Sequence, residues 1–177
     1  MTRTHTTIDS PLGGLTLVAV DGVLSGVYFP GHGYMPEPDV FGTVSGQGFE
    51  QAERQLAEYF AGERTSFDLA TAASGDEFQR RVWELIERVP YGQTTTYGEM
   101  ARELGGPTLA RRVGGAVGRN PLSVIVPCHR VVGRDGKLTG YAGGLERKRF
   151  LLDLEAPPLQ LTTGRAGEGV AGAPQGG

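Results

Sequence analysis

Residues 91–121 read YGQTTTYGEMARELGGPTLARRVGGAVGRNP, and their punctuation decides the fold of the second half of the chain. A short helical run over Tyr97–Leu104, a Gly-Gly-Pro break and a second run over Leu109–Val117 have the spacing of a helix-turn-helix. Many two-helix corners of this kind bind nothing. The second run is also odd for a helix that reads base edges in a major groove. Its later half, VGGAVG, offers almost no hydrogen-bond donors, and each glycine inside a helix costs about 1 kcal/mol relative to alanine. Two explanations stand open: close packing against another helix, or a bare face that approaches a sugar-phosphate backbone.

Upstream, DEFQRRVWELIERVP puts Phe78, Val82, Leu85, Ile86 and Val89 on one helical stripe, with Asp76 as the start signal and Pro90 as the stop. Earlier still, FEQAERQLAEYFAGE places Phe49, Leu56, Tyr59 and Phe60 near helical spacing and ends at Gly62. Between these helices, residues 65–76 read as a connector, with a short strand expected at Thr65–Leu69. GLTLVAV and GVLSGVYF flank the pair Asp21-Gly22, a hairpin signal. Pro and Gly crowd residues 30–48, which predicts a loop. The expected architecture is α+β: a small sheet-plus-helix domain over 1–74 and a mostly helical domain with the helix-turn-helix over 75–158. The Gly-, Pro- and Ala-rich residues 159–177 are expected to be a disordered tail.

The formal net charge of −3 hides an asymmetry. Residues 1–75 carry Arg3, Arg54 and Arg64 against nine acids. Residues 102–149 carry Arg102, Arg111, Arg112, Arg119, Arg130, Arg134, Lys137, Arg147, Lys148 and Arg149, opposed only by Glu103, Asp135 and Glu146. That cluster is either a solvated basic face or the footprint of a polyanion. No stretch is long and apolar enough to span a bilayer, and the N-terminus lacks the plan of a signal peptide. A lone cysteine suits a reducing compartment, so a cytoplasmic protein is expected.

That cysteine sits in SVIVPCHRVVG, residues 123–133, among apolar residues that predict burial. Cys128-His129 allows three readings. One is a buried structural thiol. A second is a metal site, for which His5, His32 and His129 without a second cysteine are too few ligands. The third is an activated nucleophile, whose proton goes to a histidine oriented by a carboxylate. Adjacent side chains of a straight strand face opposite ways, so the third reading needs a bend at Pro127-Cys128.

PCHRVVG, preceded by RRVGGAVGRNP and followed by GYAGGLERKRFLLDLE, resembles the signature of the O6-alkylguanine-DNA alkyltransferases, the methylated-DNA–protein-cysteine methyltransferases. The likeness is dense from Phe78 to Glu155, and PLGGLTLVAVDGVLSGVYF resembles the family's N-terminal domain. It implies direct repair. The alkyl group moves from guanine O6 in duplex DNA to the cysteine sulfur and stays there, one turnover per chain. By resemblance, Cys128 is the acceptor, His129 the base acting through a water, and Glu155 its orienting carboxylate. Asn120 is the hinge asparagine between the recognition helix and the active-site turn. Tyr97 helps turn the nucleotide out and gives a proton toward the leaving guanine. Arg111 is the finger that enters the stack. Ala110, Gly114, Gly115 and Arg119 belong to the DNA-binding face, which the family lays in the minor groove. Val117, Val131, Tyr141, Ala142 and Gly143 form the base pocket, with Tyr141 as a wall and Val131 and Ala142 offering backbone groups.

The chain departs from parts of the family pattern. Ala142 stands where a serine is frequent, which matters little if the contact is the backbone N–H. The ligands of an N-terminal zinc site carried by some relatives are missing, so neither metal nor cofactor is expected. There is no second cysteine for the phosphotriester chemistry of fused relatives. A monomer without membrane contact is expected. Two rivals from other classes are a lesion-binding protein that does no chemistry and a Cys-His thiol hydrolase that turns over. Cys128 argues against the first, whose family branch carries tryptophan there.

Overall fold

The computed structural model describes residues 1–157. The N-terminal third is a sheet of β1 (Arg3–Ile8), β2 (Leu15–Val20), β3 (Val23–Tyr28) and β4 (Thr43–Val44), in the order β3-β2-β1-β4. The β1-β2 and β2-β3 pairs are antiparallel, and β4 joins β1 in parallel. Asp21 and Gly22 both take positive φ, as the two-residue turn that matches strand twist requires. The first strand was not expected. Its signal, the β-branched run Thr4, Thr6, Thr7 and Ile8, is present but brief.

Helix α1 (Glu50–Phe60) lays Ala52, Gln55, Leu56 and Tyr59 inward. The strand expected at Thr65–Leu69 does not form; only an isolated bridge joins Thr71 to Leu24. The Gln55 side chain does the pairing instead, accepting from Asp68 N at 2.9 Å and donating to Asp68 O at 3.1 Å. A side-chain amide thus satisfies the backbone groups that a neighbouring strand would have taken.

Helix α2 (Glu77–Glu87) begins with a capping box between Asp76 and Gln79. The helix-turn-helix follows as α3 (Tyr97–Leu104), a 3-10 turn at Pro107–Leu109, and α4 (Ala110–Gly118). Thr96 and Glu99 form a second capping box, and α3 stops at Gly105, whose φ of 142° is a conformation glycine alone takes readily. Immediately ahead of α3, β5 (Thr95–Thr96) pairs in parallel with β6 (Val131–Val132). That pairing ties the start of the helix-turn-helix to the exit of the cysteine turn. Helix α5 (Leu145–Glu155) closes the described chain. One core cluster runs from the sheet (Leu17, Val27) through α1 and α2 (Leu56, Ile86) to Val113, Cys128 and Leu151. Among the described residues, no helix is long and apolar enough to cross a membrane.

Candidate active site and DNA-facing cleft

The segment between α4 and β6 bends sharply twice. Val124 has φ of 71°, and Ile125 N donates to Ser123 O at 2.8 Å, a γ-turn of the rare positive-φ kind on a β-branched residue. Such strain persists only where the surroundings over-determine it. Asn120 supplies that determination: its Nδ2 donates to Val126 O at 2.8 Å, and its Oδ1 accepts from Leu122 N at 2.9 Å. Next, Pro127 (φ −79°, ψ 64°) makes the inverse γ-turn that lets Cys128 N reach Val126 O at 2.7 Å. The chain then enters a 3-10 turn, Cys128–Arg130, so the required bend lies at Pro127.

Behind this turn lies a buried polar group. His129 Nε2 meets Glu155 Oε2 at 2.8 Å, and Arg130 grips the same carboxylate through Nε to Oε1 at 2.7 Å and Nη2 to Oε2 at 3.0 Å. Arg130 Nη1 also donates to Val89 O at 2.6 Å. From α1, the Tyr59 hydroxyl donates to Glu155 Oε2 at 2.5 Å. All four residues are buried. Burial alone would push the Glu155 carboxyl up, but hydrogen bonds from His129, Arg130 and Tyr59 outweigh it and hold it at about 2. Burial pushes His129 down despite its carboxylate partner, so the imidazole rests neutral. With Nε2–H turned to Glu155, the lone pair lies on Nδ1, which is buried and has no hydrogen-bond partner among the described residues. Burial pushes the Cys128 thiol up, against smaller opposing effects of the Asn120 amide, the Lys148 charge and the Tyr141 hydroxyl. At rest Cys128 is therefore a thiol and His129 a neutral imidazole.

In front lies a cleft of about 970 Å³. Tyr97, Ala110, Arg111, Gly114 and Val117 of the helix-turn-helix line one side. Tyr141, Ala142, Gly143 and Arg147 line another, and Gly33 and Tyr34 of the long N-terminal loop complete it. Cys128 is buried and does not line this cleft, and neither does Val131. Val131 lies below it in β6, its carbonyl accepting from Lys148 Nζ at 2.7 Å. The glycines of α4 answer the open question about that helix. A Cβ at Gly115 would meet nothing within 4 Å, and one at Gly114 only ordinary contact with the Tyr97 ring at 3.9 Å. Packing within the protein does not require either glycine. Gly143 differs, since a Cβ there would lie 2.7 Å from the Phe29 ring.

Neighbouring arginines divide. Arg111 lines the cleft, while the Arg112 guanidinium lies 4.0 Å over the Phe78 ring of α2. Arg119 is exposed and stacks 4.4 Å over Tyr34. The basic cluster seen in the sequence also divides between surface and interior, so neither a solvated face nor a polyanion footprint takes in all ten residues. Lys148 is fully buried, donating to the carbonyls of Val131, Thr139 at 3.0 Å and Gly140 at 3.4 Å, and burial lowers its ammonium to about 8. Arg130 is consumed by Glu155. Arg147 ties Leu12 O at 3.0 Å and Pro30 O at 3.2 Å to Gly143 O at 2.9 Å. Arg102, Arg111, Arg112, Arg119, Arg134, Lys137 and Arg149 remain exposed.

Sequence reasoning missed Tyr59, Arg130 and Lys148 as site residues. Tyr59 meets Glu155 across 96 positions, and no local signal reports that. For Lys148 a signal existed: Lys148, Leu151 and Glu155 share one face of α5, and they are its buried residues.

A helix-turn-helix with exposed glycines, together with a buried His129-Glu155 pair next in sequence to the chain's one cysteine, has the make-up of a nucleic-acid-binding protein with a candidate nucleophilic thiol. The chain belongs to the 6-O-methylguanine DNA methyltransferase family: residues 77–157 match the family model of its DNA binding domain, and residues 4–73 that of its ribonuclease-like domain. A methylated-DNA–protein-cysteine methyltransferase of Mycolicibacterium paratuberculosis is 49% identical over 160 residues, covering 89% of this chain and 96% of the relative. One from Methanosarcina acetivorans is 48% identical over 148 residues, covering 83% and 94%. Among solved structures, Mycobacterium tuberculosis OGT in complex with DNA superposes with a TM-score of 0.82 at 48% identity, covering 86% of this chain and 92% of that one.

Proposed function

We propose that this chain repairs DNA directly, moving the alkyl group of O6-alkylguanine to Cys128 in a single irreversible turnover. The observation that carries this reading is the orphaned Nδ1 of a neutral histidine, whose carboxylate partner accepts four hydrogen bonds from three residues, next in sequence to the chain's one cysteine. In the reaction Sγ attacks the alkyl carbon, the bond from that carbon to O6 breaks, and a thioether forms. The thiol proton passes to His129, whose positive charge Glu155 then stabilises. The Tyr97 hydroxyl, poised at the cleft and bonded to Thr139 Oγ1 at 3.1 Å, gives a proton to the departing guanine. A thioether has no easy leaving route, so the chain is consumed.

The partner is DNA. The finer reading is a duplex with α4 in its minor groove, where Gly114 and Gly115 admit the backbone and Arg111 fills the place of the flipped nucleotide. Asn120 couples α4 to the cysteine turn, and Tyr141, Ala142 and Gly143 bound the base. Exposed arginines, Arg119 among them, give a binding term that depends on phosphates more than on sequence. In this reading residues 1–74 are the scaffold, residues 75–158 hold the DNA and accept the alkyl group, and the protein acts as a cytoplasmic monomer. The segment 159–177, expected to be a tail, lies outside the described residues.

Intact-mass measurement after mixing with O6-methylguanine duplex tests the proposal. The chain should gain the mass of one CH₂, on Cys128, with one guanine restored per molecule. Cys128→Ser should bind the duplex and transfer nothing. An unchanged mass with the lesion retained is the outcome for a binding protein, and an unchanged mass with repeated turnover is the outcome for a hydrolase; either rejects the reading.

A further inference from the structure

Tyr59 is fully buried, packed against the rings of Phe60, Phe67 and Tyr91 at 5.4, 5.4 and 6.3 Å between centroids. Phenylalanine would fill this site equally well, so shape alone does not call for a hydroxyl. A buried tyrosine hydroxyl needs a partner, and here it is the carboxylate that orients the base. Glu155 Oε2 takes three donors: Tyr59 at 2.5 Å, His129 Nε2 at 2.8 Å and Arg130 Nη2 at 3.0 Å. The donor at the shortest distance belongs to α1, outside the segment that carries the thiol, the base and the DNA-facing helix.

We infer that Tyr59 is a positioning residue for alkyl transfer, which shares the charge of Glu155 with His129 and so sets how readily that imidazole takes a proton. The inference rests on the reading of His129 as the base. The groups that act on this carboxylate and its histidine are Tyr59 from α1, Tyr91 from the turn after α2, His129 and Arg130 from the cysteine turn, and Lys148 from α5, whose charge reaches His129. Burial, and next the charge of Glu155, raise the Tyr59 hydroxyl far above ordinary tyrosine, so it stays a donor throughout the working range. Tyr91 spends its own hydroxyl on Leu154 O at 3.3 Å. Arg130 and Lys148 both favour the neutral imidazole, and only Glu155 opposes them. Each donor on Oε2 withdraws charge that would otherwise hold the imidazolium. Removing the Tyr59 donor leaves more for His129, which becomes easier to protonate. Because the base must be neutral to act, the acid limb of the rate profile then moves to higher pH.

The test is the single-turnover rate on O6-methylguanine duplex against pH, for the full chain, Tyr59→Phe, and a chain carrying 3-fluorotyrosine at position 59. In parallel, the imidazole of His129 is titrated by NMR. With three histidines in the sequence, His129→Gln assigns its signal. Tyr59→Phe should raise the acid limb and the His129 titration together by roughly half a pH unit or more. The fluorinated ring keeps its shape but donates more strongly, and should move both downward. An unmoved titration in both variants, a shift of the opposite sign, or a uniform rate loss with the limb in place overturns the inference. If His129→Gln keeps the acid limb, the assignment of the base has failed instead. The NMR titration still decides the role of Tyr59 in that case, and also where Tyr59→Phe folds poorly.

Discussion

The two sides of the cysteine turn are built on opposite terms. Toward the cleft, α4 presents Arg111 and Gly114, with Gly115 exposed beside them, and the two glycines engage little of the protein itself. Toward the interior, Asn120, His129, Arg130, Lys148 and Glu155 bond to one another or to backbone carbonyls, buried throughout. A surface reserved for an outside partner leaves its bonding capacity free. A site that must hold one geometry before the partner arrives satisfies nearly all of its capacity internally, and the Nδ1 left over is the atom to which the proposed reaction sends the thiol proton. Changes on the buried side should therefore impair reaction with duplex and with free alkylguanine alike, whereas changes on the open side should impair only the duplex reaction.

The largest effect belongs to Glu155→Gln. Transfer should slow about a hundredfold on both substrates, since His129 loses the charge that stabilises its protonated form. Arg130 loses its counter-charge in the same step, at a cost of about 3 kcal/mol, or roughly 10 °C in melting temperature. The pH dependence carries a definite sign. Because the folded carboxyl is depressed to about 2, its contribution is complete above the ordinary carboxylate range near 4.5 and is lost as pH falls toward 2. The glutamine chain should lack that part of the acid dependence. Rates and melting curves across this window decide it, and a rate loss confined to duplex would break the division between the two sides.

Arg111→Ala should come next, slowing repair about tenfold on duplex, because an unfilled gap leaves the unstacking uncompensated. Free base should react at the normal rate. Arg112→Ala should weaken duplex binding modestly and lower the salt slope by about one at most. A larger duplex-specific loss for Arg112 would show that the finger is assigned one residue too early.

The smallest effect sharpens the comparison most. Gly115→Ala meets no atom of the protein, so the free chain should gain about 1 kcal/mol of helix stability. If that face approaches the sugar-phosphate backbone, duplex affinity should fall a few-fold while melting temperature rises. A gain in both would remove the argument for a bare face.

The open side was far more legible in the sequence than the buried one. Helix α3 has the bounds its punctuation predicts, and α4 begins one residue after its expected start because Pro107 first winds a 3-10 turn. Capping residues and glycines act over a few positions, so a local pattern reports them. Cys128, His129 and Asn120 lie within one short stretch and could be grouped by motif. Glu155 entered only through family resemblance, and Tyr59 not at all, because their meeting depends on how α1 and α5 pack. The buried cations deceived for a related reason. In residues 146–149, ERKR, charge count left a solvated face and a polyanion footprint open, both of them exposed, whereas the helical period placed Lys148 inward.

Glu155 is the last residue of α5, and no basic residue of that helix stands in its final turn. Aligned peptide dipoles place about half a negative charge at such an end, so the helix disfavours the carboxylate it carries. Arg130, reaching in from the cysteine turn, offsets that field along with the carboxylate's own charge. His129 consequently faces two sources of negative potential, one in a side chain and one in the backbone. Replacing Glu155 removes only the first. The peptide contribution survives every substitution in the carboxylate, which sets a floor beneath the rate that Glu155→Gln can reach.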